Sequence, residues 1–307
     1  MADVLVVGGS AIDLKAIPMA PLVAETSNPG FIDATPGGVG RNIAETVARL
    51  GTDVRLVSRV GEDAFGTVVR DATRAAGVDV TFLEAAAERT ATYLATLDVD
   101  GSLSVAVADF AAIDTMTPEH LPEEAFDGVR YVVLDANLPL RVIAAALSLA
   151  HERSATTIIE PVSVAKAARL AGLHQLGLSA HLITPNEDEY AALEARVDPG
   201  LIGGIIALRR GANGTRIIDH ATQHDPPKEP IDIPAVEIPP EFVRDVTGAG
   251  DAATAGLVHA LSRGLGLPEA VAFGHTIAAH TVQSAHTVAP DIADLGSHAL
   301  PPPEEDS

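Results

Sequence analysis

Short apolar runs alternate with stretches of helical periodicity along most of the chain. Val4–Val7 is an uninterrupted apolar run ended by Gly8 and Gly9, the pattern of a strand buried on both faces. Ile43, Val47 and Leu50 then recur at helical spacing, with Gly51 where a helix C-cap belongs. Val54–Val57 predicts a second strand, and Val68 to Ala76 a helix closed by Gly77. Further strands are predicted at Tyr131–Leu134, Thr157–Ile159, His181–Ile183 and Ile205–Leu208, with helical patterns over Leu140–Ala150 and Ser163–Leu170 between them. Such alternation predicts βαβ units and a doubly wound α/β fold around a mostly parallel sheet.

Two segments break this rhythm. Residues 91–108 alternate in apolar and polar character on both sides of Asp100-Gly101, a strong hairpin signal. Residues near 10–36 are non-helical and rich in proline and glycine. Together the segments at about 10–36 and 90–110 predict a small β lid on a single domain spanning residues 1–300, followed by a disordered tail at 301–307 (PPPEEDS).

Composition narrows the chemistry. A length of 307 residues suits one large domain with its own core. The chain has no cysteine, so disulfides, thiolate metal sites and a cysteine nucleophile are all excluded. It carries 42 Asp plus Glu against 20 Lys plus Arg, a net charge of -22, which argues against a nucleic-acid partner. No apolar stretch approaches the roughly 18 residues of a membrane span, and no basic region precedes the first apolar run. These features predict a cytoplasmic protein without a membrane partner. Small anions such as ATP remain compatible, because backbone amides and a metal ion offset the field.

The sharpest chemical signal is Asp245–Asp251, DVTGAGD, ahead of a helix lined by Ala252, Ala253, Ala255 and Gly256. The backbone amides of Gly248, Ala249 and Gly250 open that helix, and a helix start is a natural anion site. Asp251 in its first turn suits a general base that accepts a proton from an attacking hydroxyl while the amides hold a moving phosphoryl group. The string GAGDAA also fits a dinucleotide fingerprint, but it lies late in the chain, follows no clear strand, and sets a carboxylate where a pyrophosphate would sit.

Weaker signals accompany it. Pro36–Asn42, PGGVGRN, opens the first helix: its glycines allow close approach of a ligand, and Asn42 suits sugar hydroxyls, although a plain glycine turn explains the same residues. In Thr184–Glu189, TPNEDE, Asn186 and Glu189 fall three apart on one helix face, where oxygen ligands suit Mg²⁺ and where a dipole-driven acidic helix start reads equally well. Arg209–Gly214, RRGANG, follows a strand and suits a nucleotide-side turn. His275, His280 and His286 do not share a helix face, which disfavours a transition-metal site; His275 instead lines an adenine pocket or simply packs.

In order and spacing these four motifs, together with Arg59–Gly66, RVGEDAFG, resemble the ribokinase-like (PfkB) carbohydrate and nucleoside kinases from about residue 4 to residue 292. Within that family, SNPG at 27–30, DANLP at 135–139, EPVS at 160–163 and Lys166 resemble the branch that phosphorylates pseudouridine. The resemblance implies ATP with Mg²⁺ and K⁺, with Asp251 as catalytic base and Gly248, Ala249 and Gly250 as anion hole. It implies that Asp13, Gly38 and Asn42 hold the ribose, and that Asn186 and Glu189 organise the Mg²⁺–phosphate region. It also implies Arg210, Gly211 and Gly214 along the nucleotide, Asp245 and Thr247 at the monovalent cation, and lids that pair in a homodimer. Lys15, Ser27 and Asn28, on the flap, are the candidates for contacts to the base. The alternatives are a ribokinase, a kinase of adenosine, inosine or cytidine, a nucleotide-binding regulator with this fold but no turnover, and, most distantly, an NAD-dependent oxidoreductase.

Overall fold

A computed structural model describes residues 2–220 and 229–298; the tail at 301–307 lies outside them. The strands are β1 (Val4–Val7), β2 (Ala11–Pro18), β3 (Gly30–Gly37), β4 (Val54–Gly61), β5 (Leu83–Ala87), β6 (Ala91–Leu97), β7 (Leu103–Asp109), β8 (Tyr131–Asp135), β9 (Thr156–Glu160), β10 (Ala180–Ile183), β11 (Gly203–Arg209), β12 (Thr215–Asp219) and β13 (Ile231–Ile233). The helices are α1 (Val39–Arg49), α2 (Ala64–Ala75), α3 (Ala111–Asp114), α4 (Leu140–Glu152), α5 (Val164–Arg169), α6 (Gly172–Gln175), α7 (Glu187–Glu194), α8 (Ala249–Ser262), α9 (Leu267–Val282) and α10 (Ala293–His298).

Nine strands form the main sheet in the order β13-β12-β11-β10-β9-β8-β1-β4-β5. It is parallel from β5 to β11, and β12 and β13 add antiparallel at one edge. Alternate residues of β1 enter opposite cores: Val4 and Val6 join α1, α8 and α9 on one face, and Leu5 and Val7 join α4 on the other. This two-sided burial is why the strands read as unbroken apolar runs. Among the described residues no helix is long and apolar enough to cross a membrane.

A second sheet of four strands, β3-β2-β6-β7, forms the lid. Its outer strands pair antiparallel, whereas β2 and β6 run parallel although the chain between them passes through α1, β4, α2 and β5. The lid is therefore joined to the body at four points: Gly8–Ser10 after β1, Gly38 before α1, Glu88–Thr90 after β5 and Phe110 before α3. Helix α2 begins four residues before the predicted Val68, because the Asp63 carboxylate accepts the Gly66 amide at 2.7 Å and caps a polar first turn.

Candidate active site

The site is built where α1 and α8 bring their N-termini beside the ends of β1 and β8. Gly38 opens α1 at φ +95°, a backbone setting that favours glycine, and a Cβ there would lie 2.6 Å from the Gly9 carbonyl oxygen. The close approach is held by Asp135 at the end of β8. Its fully buried carboxylate accepts the amides of Gly9 at 2.7 Å, Gly40 at 2.8 Å and Asn137 at 2.7 Å. Burial raises the pKa of Asp135 above the usual carboxylate range, and the three amides oppose that rise.

One turn into α1, Asn42 donates from Nδ2 to Asp251 Oδ2 at 2.9 Å. Asp251 stands in the first turn of α8, which Gly248 opens at φ +81°. The first amides of a helix have no partner inside it. Here Ala249 turns back to the Val246 carbonyl at 3.2 Å and Ala252 bonds the Gly248 carbonyl at 2.8 Å. The Gly250 and Asp251 amides take no backbone acceptor among the described residues. Of the three amides expected as the anion hole, those of Gly248 and Gly250 lie at the helix start, and that of Ala249 is engaged in the turn. Burial, reinforced by the Glu160 and Asp135 carboxylates, pushes the pKa of Asp251 up to about 7, while the Asn42 hydrogen bond and the Arg209 guanidinium oppose it.

A charged network supports Asp251 from below. Arg209, the last residue of β11, donates to the Gly250 carbonyl at 3.1 Å and to Glu160 Oε1 at 2.6 Å, and lies 3.6 Å from Glu189 Oε2. Glu160 Oε2 accepts the hydroxyls of Thr184 at 2.8 Å and Thr254 at 2.7 Å. The start of α8 is thus tied through Arg209 to the ends of β9, β10 and β11. Asn186 and Glu189 are not two residues of one helix face. Asn186 is the N-cap of α7, and the pair close a reciprocal box, Glu189 amide to Asn186 Oδ1 at 2.9 Å and Asn186 amide to Glu189 Oε2 at 2.9 Å.

A cleft of about 780 Å³ opens between lid and body, walled by Asp13, Lys15, Thr35, Arg41, Tyr93 and Thr247 among others. That volume lies within the range of small-molecule sites, about 300–1,000 Å³. Burial pushes the pKa of Asp13 up to about 6, against the pull of Arg41 and Lys15. Lys15 Nζ bonds Asp245 Oδ2 at 3.2 Å, joining the lid to the loop before α8, and Asp245 Oδ1 accepts the Thr247 amide at 2.9 Å. Ser27 and Asn28 stand apart from this cleft. Asn28 spends its amide inside its own loop, on the Val23 backbone at 2.8 and 2.9 Å and the Thr26 carbonyl at 3.2 Å, and Ser27 is exposed.

His275 and the turn between β11 and β12, expected along the nucleotide, lie beside the first half of α8, near Ala253, Thr254 and Leu257. Gly211 and Gly214 bracket the turn between β11 and β12, and Arg210 bonds Asp232 at 2.7 Å. His275 on α9 reaches the Thr215 hydroxyl at 2.7 Å and the Pro234 carbonyl at 2.8 Å. The small pocket it faces holds about 20 Å³, room for a single water. Among the described residues no group of three or more His, Asp or Glu side chains forms a ready-made metal cage. The donor set near Glu189 and Glu160 is carboxylate oxygen, which fits Mg²⁺ held by one or two carboxylates, water and a substrate phosphate.

Asp135, Glu160 and Arg209 lie in DANLP, EPVS and RRGANG, motifs that point to no chemistry for these three residues. The signal they left was a charged residue closing an otherwise apolar strand, as in YVVLD, TTIIE and GGIIALR.

A carboxylate pushed up to about 7 at a helix start with open amides, beside a cleft of about 780 Å³, suits a phosphotransferase acting on an alcohol group. Residues 1–293 match the pfkB family carbohydrate kinases, and the chain belongs to that family. It is 30% identical to the pseudouridine kinase of Escherichia coli (strain K12) over 307 residues, covering 94% of this chain and 93% of that protein. It is 25% identical to the ribokinase of Bacillus subtilis (strain 168) over 291 residues, covering 92% of this chain and 94% of that protein. Among solved structures, a carbohydrate kinase from Agrobacterium tumefaciens superposes with a TM-score of 0.80 at 30% identity, covering 98% of this chain and 99% of that one. The α/β fold with its mostly parallel sheet and the hydroxyl-directed kinase class expected from the sequence therefore stand.

The pH dependence follows from Asp251. A base must be deprotonated to work, so kcat/KM is expected to fall as pH drops through about 7 and to level off above it. Asp13, at about 6, steepens the fall if its carboxylate holds a substrate hydroxyl. Rates measured from about pH 5 to 9 test this; a profile flat through neutrality contradicts the assignment of Asp251 as base.

Proposed function

We propose that the protein transfers a phosphoryl group from ATP to the 5′-hydroxyl of pseudouridine, giving pseudouridine 5′-phosphate and ADP. The observation that carries the chemistry is the Asn42–Asp251 pair at 2.9 Å beside the start of α8. The nucleoside reading is supported by the 30% identity to a pseudouridine kinase along nearly the whole chain, and by a cleft of about 780 Å³, roomier than a pentose alone requires.

In this reading Asp13, Gly38 and Asn42 hold the ribose, and Asp251 accepts the proton of the 5′-hydroxyl as its oxygen attacks phosphorus. Bound ATP supplies the phosphoryl group, and Mg²⁺ would be held near Glu189 and Asn186. The Gly250 and Asp251 amides meet charge that builds on the transferred group, without reorganising during the reaction. Lys15 and Thr35 offer polar groups from the lid to the base. The lid excludes water and so suppresses ATP hydrolysis. A K⁺ ion beside Asp245 and Thr247 belongs to the same proposal, as does the cytoplasm as the place of action. So does a homodimer formed through the lid, whose Phe31, Ile32, Leu103, Val105 and Val107 are exposed. The identity to a ribokinase along a similar span favours ribose as the second reading.

The test is ADP formation with ATP, Mg²⁺ and K⁺ across pseudouridine, uridine, cytidine, adenosine, inosine and ribose. Pseudouridine is expected to lead uridine and ribose by at least about ten-fold in kcat/KM. A lead for ribose or another nucleoside replaces the substrate and keeps the chemistry. Binding of ATP and nucleoside without turnover on any of them makes the protein a regulator.

A further inference from the structure

We infer that Arg41 is a positioning residue for the base: its guanidinium fixes which way the Asn42 amide faces, so that Asn42 presents its NH₂ group to Asp251. This rests on the reading of Asp251 as base. Arg41 immediately precedes Asn42 in α1 and is 5% exposed. One nitrogen, Nη1, donates to the Pro36 carbonyl at 3.1 Å and to Asn42 Oδ1 at 3.2 Å. Nε donates to Thr73 Oγ1 at 3.3 Å, and Nη2 pairs with Glu45, which Arg49 holds from the other side at 2.7 Å. Three partners besides Asn42, namely the Pro36 carbonyl, the Thr73 hydroxyl and the Glu45 carboxylate, hold the guanidinium in place.

The consequence follows from donor and acceptor count. A guanidinium has five N–H donors and no acceptor, whereas an amide has one face of each kind. The face of Asn42 turned to Arg41 must therefore be its oxygen, which leaves Nδ2 for Asp251, as observed at 2.9 Å. An amide without this clamp has two settings. Nδ2 toward Asp251 favours the carboxylate; Oδ1 toward Asp251 repels the carboxylate and welcomes a protonated acid. The groups facing Asp251 from the surrounding elements are Asn42 of α1, Asp135 of β8, Glu160 of β9 and Arg209 of β11, and of these only Asn42 has a rotatable choice of sign. Arg41 also faces Asp13 across the cleft, with Lys15 the second cation acting on it. Arg41 makes the choice for Asn42 without touching the reacting atoms.

The test is a double-mutant cycle of Arg41→Met and Asn42→Ala, with kcat, KM and the pH profile of kcat/KM measured on the best substrate of the panel. In parallel, the Asp251 carboxyl is titrated by carbon-13 NMR and assigned from its absence in Asp251→Asn. Arg41→Met is expected to lower kcat by roughly ten-fold and to move the Asp251 titration upward by about one pH unit, the size of one lost charge-assisted hydrogen bond. In the Asn42→Ala background the same change is expected to cost less than about two-fold, because its route is gone. Arg41→Met leaves Glu45 short of a partner, so Arg41→Met/Glu45→Met, which removes the buried pair together, guards against simple unfolding. Equal losses in both backgrounds with an unmoved Asp251 titration overturn the inference. If no substrate of the panel turns over, the proposed function fails separately, and the NMR titration alone decides: an Asp251 that titrates at the same pH with and without Arg41 sinks the positioning role.

Discussion

Asp251→Asn is expected to lower kcat by about 10²- to 10⁴-fold, the usual worth of a positioned general base, with a much smaller change in KM. The substitution is nearly isosteric and removes one thing, the capacity to take a proton. No neighbour is free to replace it. Asp135 is committed to three backbone amides, and Glu160 to two hydroxyls and Arg209. The acidic limb of the pH profile should vanish with the carboxylate. Steady-state rates across pH decide the matter, and a variant that keeps near wild-type kcat removes Asp251 from the chemistry altogether.

The second large effect is on stability. Asp135→Ala is expected to cost about 3–5 kcal/mol, because the amides of Gly9, Gly40 and Asn137 lose their shared acceptor in the interior, at about 1–3 kcal/mol for each buried group left unpaired. The sum is held below the maximum because water entering the space recovers part of the loss. Asp135→Asn should fall between wild type and alanine, since it keeps an acceptor oxygen but turns an N–H donor into a site of amide donors. Denaturant unfolding of the three proteins measures this. A loss for Asp135→Ala below about 1 kcal/mol would mean that the amides find other partners.

The main sheet was legible because its signals are local. Strands β1, β4, β8 and β9 are buried on both faces and β10 and β11 largely so, which leaves an apolar run in each, and Gly101 turns the predicted hairpin at φ +84°. The edge strands β12 and β13 and the lid strand β3 are half-exposed or wholly exposed and lack that signature. The parallel pairing of β2 with β6 depends on partners far apart in sequence, which no local pattern encodes. In the site, Asp251 and Asn42 stood out because glycine-rich helix starts concentrate chemistry at fixed spacing. The motifs holding Arg209, Glu160 and Asp135 stood out but their roles did not, because a lone charge at a strand end gives no hint of what it will meet. The same limit explains Asn186, whose oxygen is taken by its own helix cap, and Asn28, whose amide is taken by its own loop.

The Asn42–Asp251 hydrogen bond spans 209 residues of chain. Contacts of such separation close the largest loops and are slow to form. The base and its partner therefore meet only when α1 and α8 have both docked on the same face of the finished sheet. A chain still emerging from the ribosome, or a refolding intermediate holding only the N-terminal half and the lid, carries Asp13, Gly38 and Asn42 but no base. On the proposed reading such a species holds residues of the sugar site and cannot phosphorylate. Recovery of turnover during refolding is thus a clock for the last long-range closure, and it should lag any signal that reports the lid or the first half of the sheet.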